Sequence, residues 1–121
     1  LIYKKRGWLI LITPDQVISE IQRLTGEASK APQAIYEAET QVAEKQLAYD
    51  RKSALEFMNA QGTVADRENL AKLSAGTERF ELELAKAELN RVKNKAKQLA
   101  DAGVLTASIG RQVELIYRNA G

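Results

Sequence analysis

Apolar residues recur at helical spacing along most of this chain, and the polar punctuation between them predicts four helices. The first starts at Thr13-Pro14-Asp15-Gln16, which supplies a hydroxyl N-cap, a proline at the first helical position and a capping-box Gln, with Ile12 and Val17 as the hydrophobic staple. Val17, Ile18, Ile21 and Leu24 then share a face until Gly26 and the stretch 29–32 interrupt it, which predicts a helix over about 13–25. A second helix is predicted over about 32–61, and it carries two adjoining apolar strips. Ile35, Ala38, Val42, Tyr49 and Phe57 make one strip; Tyr36, Ala43, Leu47, Ala54 and Met58 make the next. A helix this broadly apolar has more than one neighbour.

Gln61-Gly62-Thr63 is the sharpest break in the pattern. Gly62 suits the left-handed position after a helix end, Thr63 can cap the next helix, and Thr63-Val64-Ala65-Asp66 has capping-box form with Asp at the third position. The reading is a helical hairpin whose second arm runs over about 64–102. Along that arm the apolar stripe changes sides, from Leu73, Phe80, Leu84 and Ala87 to Leu82, Ala85, Leu89, Val92, Ala96 and Leu99. Two partners are implied. One is the second helix; the other is either the first helix or a second subunit, and the shortness of the first helix favours an intersubunit seam. Gly103 then predicts another break, with Thr106 or Ser108 capping a last helix over about 106–118 that lines up Ile109, Val113, Ile116 and Tyr117. That helix either folds back on the hairpin or docks on a neighbouring subunit. The seam expected from these patterns comprises Leu82, Leu89, Val92, Leu99, Ile109, Val113 and Ile116. The fold class expected is all-α: an elongated antiparallel helical hairpin of the coiled-coil type, with short flanking helices at both ends, forming one domain over 13–121.

Residues 1–12 read as an extension outside that domain, disordered or non-native. Lys4, Lys5 and Arg6 precede only a short apolar run, soon ended by Thr13-Pro14-Asp15, so neither a membrane span nor a secretory leader fits. Anchoring to a membrane surface through Tyr3, Trp8 and the basic trio is the lesser reading, and no membrane partner is expected.

Composition bears on function mainly by subtraction. The 121 residues include no Cys and no His, which removes disulfides, thiolate nucleophiles, zinc sites and the usual general base. The carboxylates are spread along helical faces beside Lys and Arg, where solvated ion pairs are the ordinary explanation. No enzyme and no cofactor is expected. Aromatic residues make up only 6% of the chain, so thin helical layers completed by other copies are more natural than a thick core. The net charge of +2 conceals an uneven distribution: residues 1–13 carry +3, 14–85 carry −5 and 86–121 carry +4. An acidic middle and a basic end suit head-to-tail association or contact with a polyanion.

Lys72, Arg79, Lys86 and Lys93 succeed one another at intervals of seven, and Lys97 comes one turn later, which places them along one side of the third helix. Evenly spaced cations can track a phosphate backbone without reading bases. Solubilising charge on the outer face of a coiled coil is the plainer explanation of such a ridge. The scarcity of acids near Arg111 and Arg118 argues for the polyanion; the lack of a helix-turn-helix, zinc-finger or RNP signature argues against a sequence-reading protein.

The middle segment EKQLAYDRKSALEFMNAQG, then LAKLSAGTERF, then KQLADAGVLTASIGRQVELIY present an order of parts that resembles the UvsY-type recombination mediators of bacteriophages. The segment from Gly62 to Arg67 is also similar to one in small phage and prophage helical proteins. The resemblance covers about two thirds of the chain and is one of pattern. It implies a small helical homo-oligomer in the cytoplasm of a bacterial host that binds single-stranded DNA, contacts a single-strand-binding protein and assists a RecA-like recombinase. DNA contact would fall to Lys72, Arg79, Lys86, Lys93, Lys97, Arg111 and Arg118. The alternative is a structural coiled-coil assembly or adaptor protein, such as a phage scaffold or tail component, whose charge only keeps it soluble.

Overall fold

The computed structural model describes residues 2–5 and 8–120, with side chains from residue 12 onward. Ile2–Lys5 (β1) and Trp8–Leu11 (β2) pair as antiparallel strands, with Ile2 opposite Leu11 and Lys5 opposite Trp8. The expected extension thus contains a strand pair, in keeping with the Ile, Tyr and Trp that favour a pleated backbone. The side chains of Tyr3 and Trp8, on which the surface-anchor reading turned, lie outside the described part, as does Arg6.

From Pro14 to Ala120 the chain is helical apart from three short interruptions: α1 spans Pro14–Ala28, α2 Ala31–Asn59, α3 Val64–Ser74 and α4 Gly76–Ala120. Both expected capping boxes form. Thr13 Oγ1 accepts from the Gln16 N–H at 3.3 Å while Gln16 Oε1 accepts from the Thr13 N–H at 2.9 Å. Thr63 and Asp66 make the same exchange at 3.2 and 3.4 Å. Each box satisfies two backbone donors that a helix start otherwise leaves open. Between α2 and α3, Gly62 takes φ +113°, a conformation in which a side chain is strained. Arg67 closes the same turn: its Nε and Nη2 donate to the Phe57 carbonyl at 3.2 and 3.1 Å, and its guanidinium carbon sits 4.2 Å from the Phe57 ring centre. A carbonyl near the end of α2 thereby gains a charged donor, and the cation rests on an aromatic face.

Two expectations about breaks are corrected. Gly103 does not end a helix, because α4 runs through it for 45 residues. One glycine costs a helix interior about 1 kcal/mol relative to alanine, which a long helix with both flanks intact absorbs. The interruption falls instead at Ala75 (φ −94°, ψ 15°), a fully buried residue that separates α3 from α4.

The described chain forms two compact units: one from the residues up to Ala31 with those from Asn94, the other from Pro32 to Lys93. In the first, α1 lies on the carboxyl-terminal part of α4, with Val17, Leu24 and Val113 buried. Ile21, Leu24 and Ala28 of α1 border one groove with Leu99, Gly103 and Ala107. In the second, α2 lies along α3 and the first part of α4, with Ala38, Ala71, Ala75 and Leu82 buried. Facing residues descend on one side as they rise on the other: Phe57 meets Arg67, Ser53 shares a groove with Ala71, and Lys45 pairs with Glu81. Ala34 and Ala38 share another groove with Val92. Both interiors are thin, and in the second unit three of the four buried residues are alanine. No helix among the described residues is long and apolar enough to cross a membrane.

Candidate nucleic-acid and assembly surfaces

The periodicity of α3 and α4 determines which side chains point outward. Lys72 on α3, and Arg79, Lys86, Lys93, Lys97, Arg111 and Arg118 on α4, are all exposed. Within the second unit, Lys72, Arg79, Lys86 and Lys93 repeat every seven residues; the spacing keeps Arg79, Lys86 and Lys93 on one side of α4, while Lys72 stands on α3 before the Ala75 interruption. The α4 line runs along the edge of the face that buries Leu82, which stands three residues after Arg79 and four before Lys86. Lys97, Arg111 and Arg118 belong to the first unit, again at multiples of seven.

Local carboxylates engage some of these cations. Lys86 Nζ lies 3.5 Å from Glu83, and Arg118 lies 2.7 Å from Glu114. Arg91, off the line, holds Glu88 at 2.6 Å. Hydrogen bonding from Arg91 lowers the Glu88 carboxyl below its ordinary range, and the Glu88 carboxylate raises Arg91 in return. Glu20 and Arg23 on α1 repeat this exchange. Lys52 is raised by its hydrogen bond to Glu56. In these pairs, Lys52–Glu56 excepted, the acid precedes the base on one helix, the favourable order for the helix dipole. Each is solvated, and such pairs contribute about 0–1 kcal/mol. Lys72, Arg79, Lys93, Lys97 and Arg111 have no carboxylate within 4.0 Å among the described residues.

The expected oligomer seam is placed differently. Leu82 is only 4% exposed and Val113 is fully buried, both inside the chain's own units. Leu89 and Val92 are half-buried in the unit where α2 lies; Val92 shares a groove of about 640 Å³ with Ala34 and Ala38. Leu99 and Ile109 are half-buried in the unit of α1, and Ile116 is exposed. The chain's own helices therefore claim most of the seam. The physical reason is division of labour along one long helix: α1, running to Ala28, needs to cover only the stretch near 99–113, while α2 covers the stretch near 82–92. The stripe assigned to the internal partner is the one left open, with Leu73 79% and Phe80 64% exposed. The same holds for one of the two strips on α2, where Tyr36, Leu47 and Met58 are exposed while Ile35, Ala38, Val42, Tyr49 and Phe57 turn inward.

The chain matches no family model, no curated protein and no solved structure.

Large apolar side chains stay open: Met58 is 72% and Val64 61% exposed, besides Leu73 and Phe80. The grooves that accompany them hold no cluster of metal-ligating side chains among the described residues. On the rim of the groove that holds Ala34, Ala38 and Val92, Lys45 pairs with Glu81 at 3.2 Å and Arg91 with Glu88.

Proposed function

We propose that the chain is a self-assembling antiparallel helical hairpin of the coiled-coil type that binds single-stranded DNA through outward cations, in the manner of a phage recombination mediator. The descending order of facing residues between α2 and α3–α4 supports the hairpin. The observation that carries the DNA reading is the state of Lys72, Arg79, Lys93, Lys97 and Arg111, which are exposed without a carboxylate partner among the described residues. Unpaired cations at regular spacing gain from phosphate what their neighbours already gain from glutamate. Lys86 joins them at small cost, since a solvated 3.5 Å pair yields readily. The resemblance to recombination mediators adds a single-strand-binding protein and a RecA-like recombinase as further partners, in the cytoplasm of a bacterial host.

Fluorescence anisotropy of a labelled oligo-dT strand, titrated at several salt concentrations with a duplex control, tests the reading. If Lys72, Arg79, Lys86, Lys93 and Lys97 each neutralise one phosphate, the slope of log K against log salt is about −3.5, at about −0.7 per contact. Lys86→Glu with Lys93→Glu should reduce it to about −2 or abolish binding, with helicity unchanged. Absence of binding at low salt would defeat the proposal.

The exposed strips on α2 and on α3–α4 favour a second reading, a structural assembly or adaptor protein whose cations serve solubility. It requires a stable assembly and a specific protein partner with no affinity for the oligonucleotide.

A further inference from the structure

We infer that the outer strip of α2 is a homodimer face, pairing antiparallel with the same strip of a second copy so that facing residue numbers sum to 90. The inference rests on the self-assembly part of the proposed function and specifies the surface that performs it. Tyr36, Leu47 and Met58 are 65%, 50% and 72% exposed, and they stand eleven residues apart. Eleven residues make three helical turns at 3.67 residues per turn, close to the natural period of a straight α-helix, so the three stay in line without strong supercoiling. Between them lie Ala43 and Ala54, both exposed, and the strip alternates large and small along its length.

That alternation is what selects a second copy as the occupant. With the two-fold axis at residue 45, Tyr36 lies opposite Ala54 and Leu47 opposite Ala43, and the symmetry repeats both pairings on the other side. Tyr36 and Leu47 then each enter the space over an alanine, the complementarity that close packing needs, while Met58 falls opposite Pro32 at the end of the strip. A foreign partner would not require the strip to match its own reverse. The stripe of Leu73, Phe80 and Leu84 is the competing face, but it crosses the interruption at Ala75, whereas α2 is unbroken from Ala31 to Asn59. Rim charges are mixed in this register. Arg51 comes beside Glu37 and Glu44 of the second copy, and Glu39 comes beside Asp50 of the second copy.

The absence of cysteine from the chain makes the register directly measurable. Single Glu39→Cys, Arg51→Cys, Gln33→Cys and Asn59→Cys variants, all at exposed positions, would carry spin labels for dipolar distance measurement on the full chain. At 1.5 Å per residue the same position in the two copies is separated along the axis by about 18 Å at 39 and at 51, about 36 Å at 33 and about 42 Å at 59. The expected result is therefore a V-shaped profile with its minimum at residue 45. Equal short distances at all four positions would mean parallel pairing and overturn the inference, as would four distances all beyond the dipolar range. Sedimentation velocity separates the two levels of claim: a monomer defeats self-assembly altogether, while an oligomer with the wrong profile defeats only this face. Leu47→Glu should shift the dimer to monomer while ellipticity at 222 nm is kept. Asp50→Asn, which removes the like-charge contact with Glu39, should tighten association; a loosening would count against the register.

Discussion

Gly110 and Gly103 lie seven residues apart on α4, on the part of the helix that α1 covers, and alanine should have opposite effects at the two positions. A Cβ built on Gly110 would stand 2.8 Å from Val17 Cγ1, well inside van der Waals contact, while a Cβ on Gly103 would have nothing within 4 Å. Both substitutions gain about 1 kcal/mol of helix propensity. Gly103→Ala keeps that gain, because it meets no obstacle. Gly110→Ala adds overpacking of about 1–3 kcal/mol, and the obstructing atom belongs to a β-branched side chain with little freedom to move aside. Val17 is itself buried, so the two helices must separate to make room. The net expectation is stabilisation of about 1 kcal/mol for Gly103→Ala and destabilisation of about 1 kcal/mol for Gly110→Ala. Urea unfolding followed at 222 nm resolves a difference of that size. Combining Gly110→Ala with Val17→Ala should recover part of the steric loss, giving a coupling energy of about 1 kcal/mol. If Gly110→Ala stabilises as much as Gly103→Ala, the contact between α1 and α4 is wrongly placed.

Particular contacts elsewhere in the chain have consequences of their own. Gly62→Ala should cost about 1–3 kcal/mol in unfolding experiments, because φ +113° strains any side chain there and Asp66 Oδ2 would lie 3.1 Å from the new Cβ. Glu78 Oε2 and Ser53 Oγ are buried without a hydrogen-bond partner among the described residues, so Glu78→Leu and Ser53→Ala should each raise the unfolding midpoint, by about 1 kcal/mol of stability or more; a lowered midpoint for both would reveal an unrecognised polar role. Glu88 and Glu20 have carboxyls held below their ordinary value of 4.5 by hydrogen bonds from Arg91 and Arg23. A depressed carboxyl contributes stability that is complete above its unfolded pKa and is lost as pH falls through the folded one. Helicity should therefore decline on acidification below pH 4.5, and Glu88→Gln should flatten part of that decline in a circular-dichroism titration. Arg67→Lys should loosen the α2–α3 turn, since an ammonium cannot reproduce the forked bond to the Phe57 carbonyl; faster amide exchange near residues 57–67 would register it.

Local signals in the sequence were reliable where the physics is local. Both capping boxes and the positive φ of Gly62 arise from side chains within three residues of the feature, and they are found where the sequence places them. The Ala75 interruption has no such signal, because alanine is a strong helix former and only its complete burial distinguishes it. Gly103 shows the converse: a residue with a poor intrinsic score stays helical because the surrounding helix is long. The Arg67–Phe57 contact spans ten residues and joins two elements, so no window of the sequence reveals it. The exchange of the two stripes on α4 has the same origin. Periodicity identifies that a face is apolar, but the neighbour that covers it depends on where α1 and α2 end.

That exchange also bears on how the proposed assembly and the proposed DNA contact would coexist. In the second unit the inward face of α4 holds Leu82, the open apolar stripe holds Phe80 and Leu84, and the exposed cations Arg79, Lys86 and Lys93 border the inward face on the side away from that stripe. Had Leu82, Leu89 and Val92 formed the intersubunit seam, association would have had to compete with α2 for one surface. With those residues turned inward, the apolar strip of α2 is available to a second copy while the cations of α4 stay on a different element. Leu47→Glu should then weaken DNA binding only through the loss of avidity, lowering apparent affinity while each protomer keeps its phosphate contacts. The salt slope per protomer should be unchanged in that variant, whereas Lys93→Glu should lower the slope and leave the sedimentation coefficient alone. Finding the two effects inseparable would mean that one surface serves both purposes, contrary to the placement of these side chains.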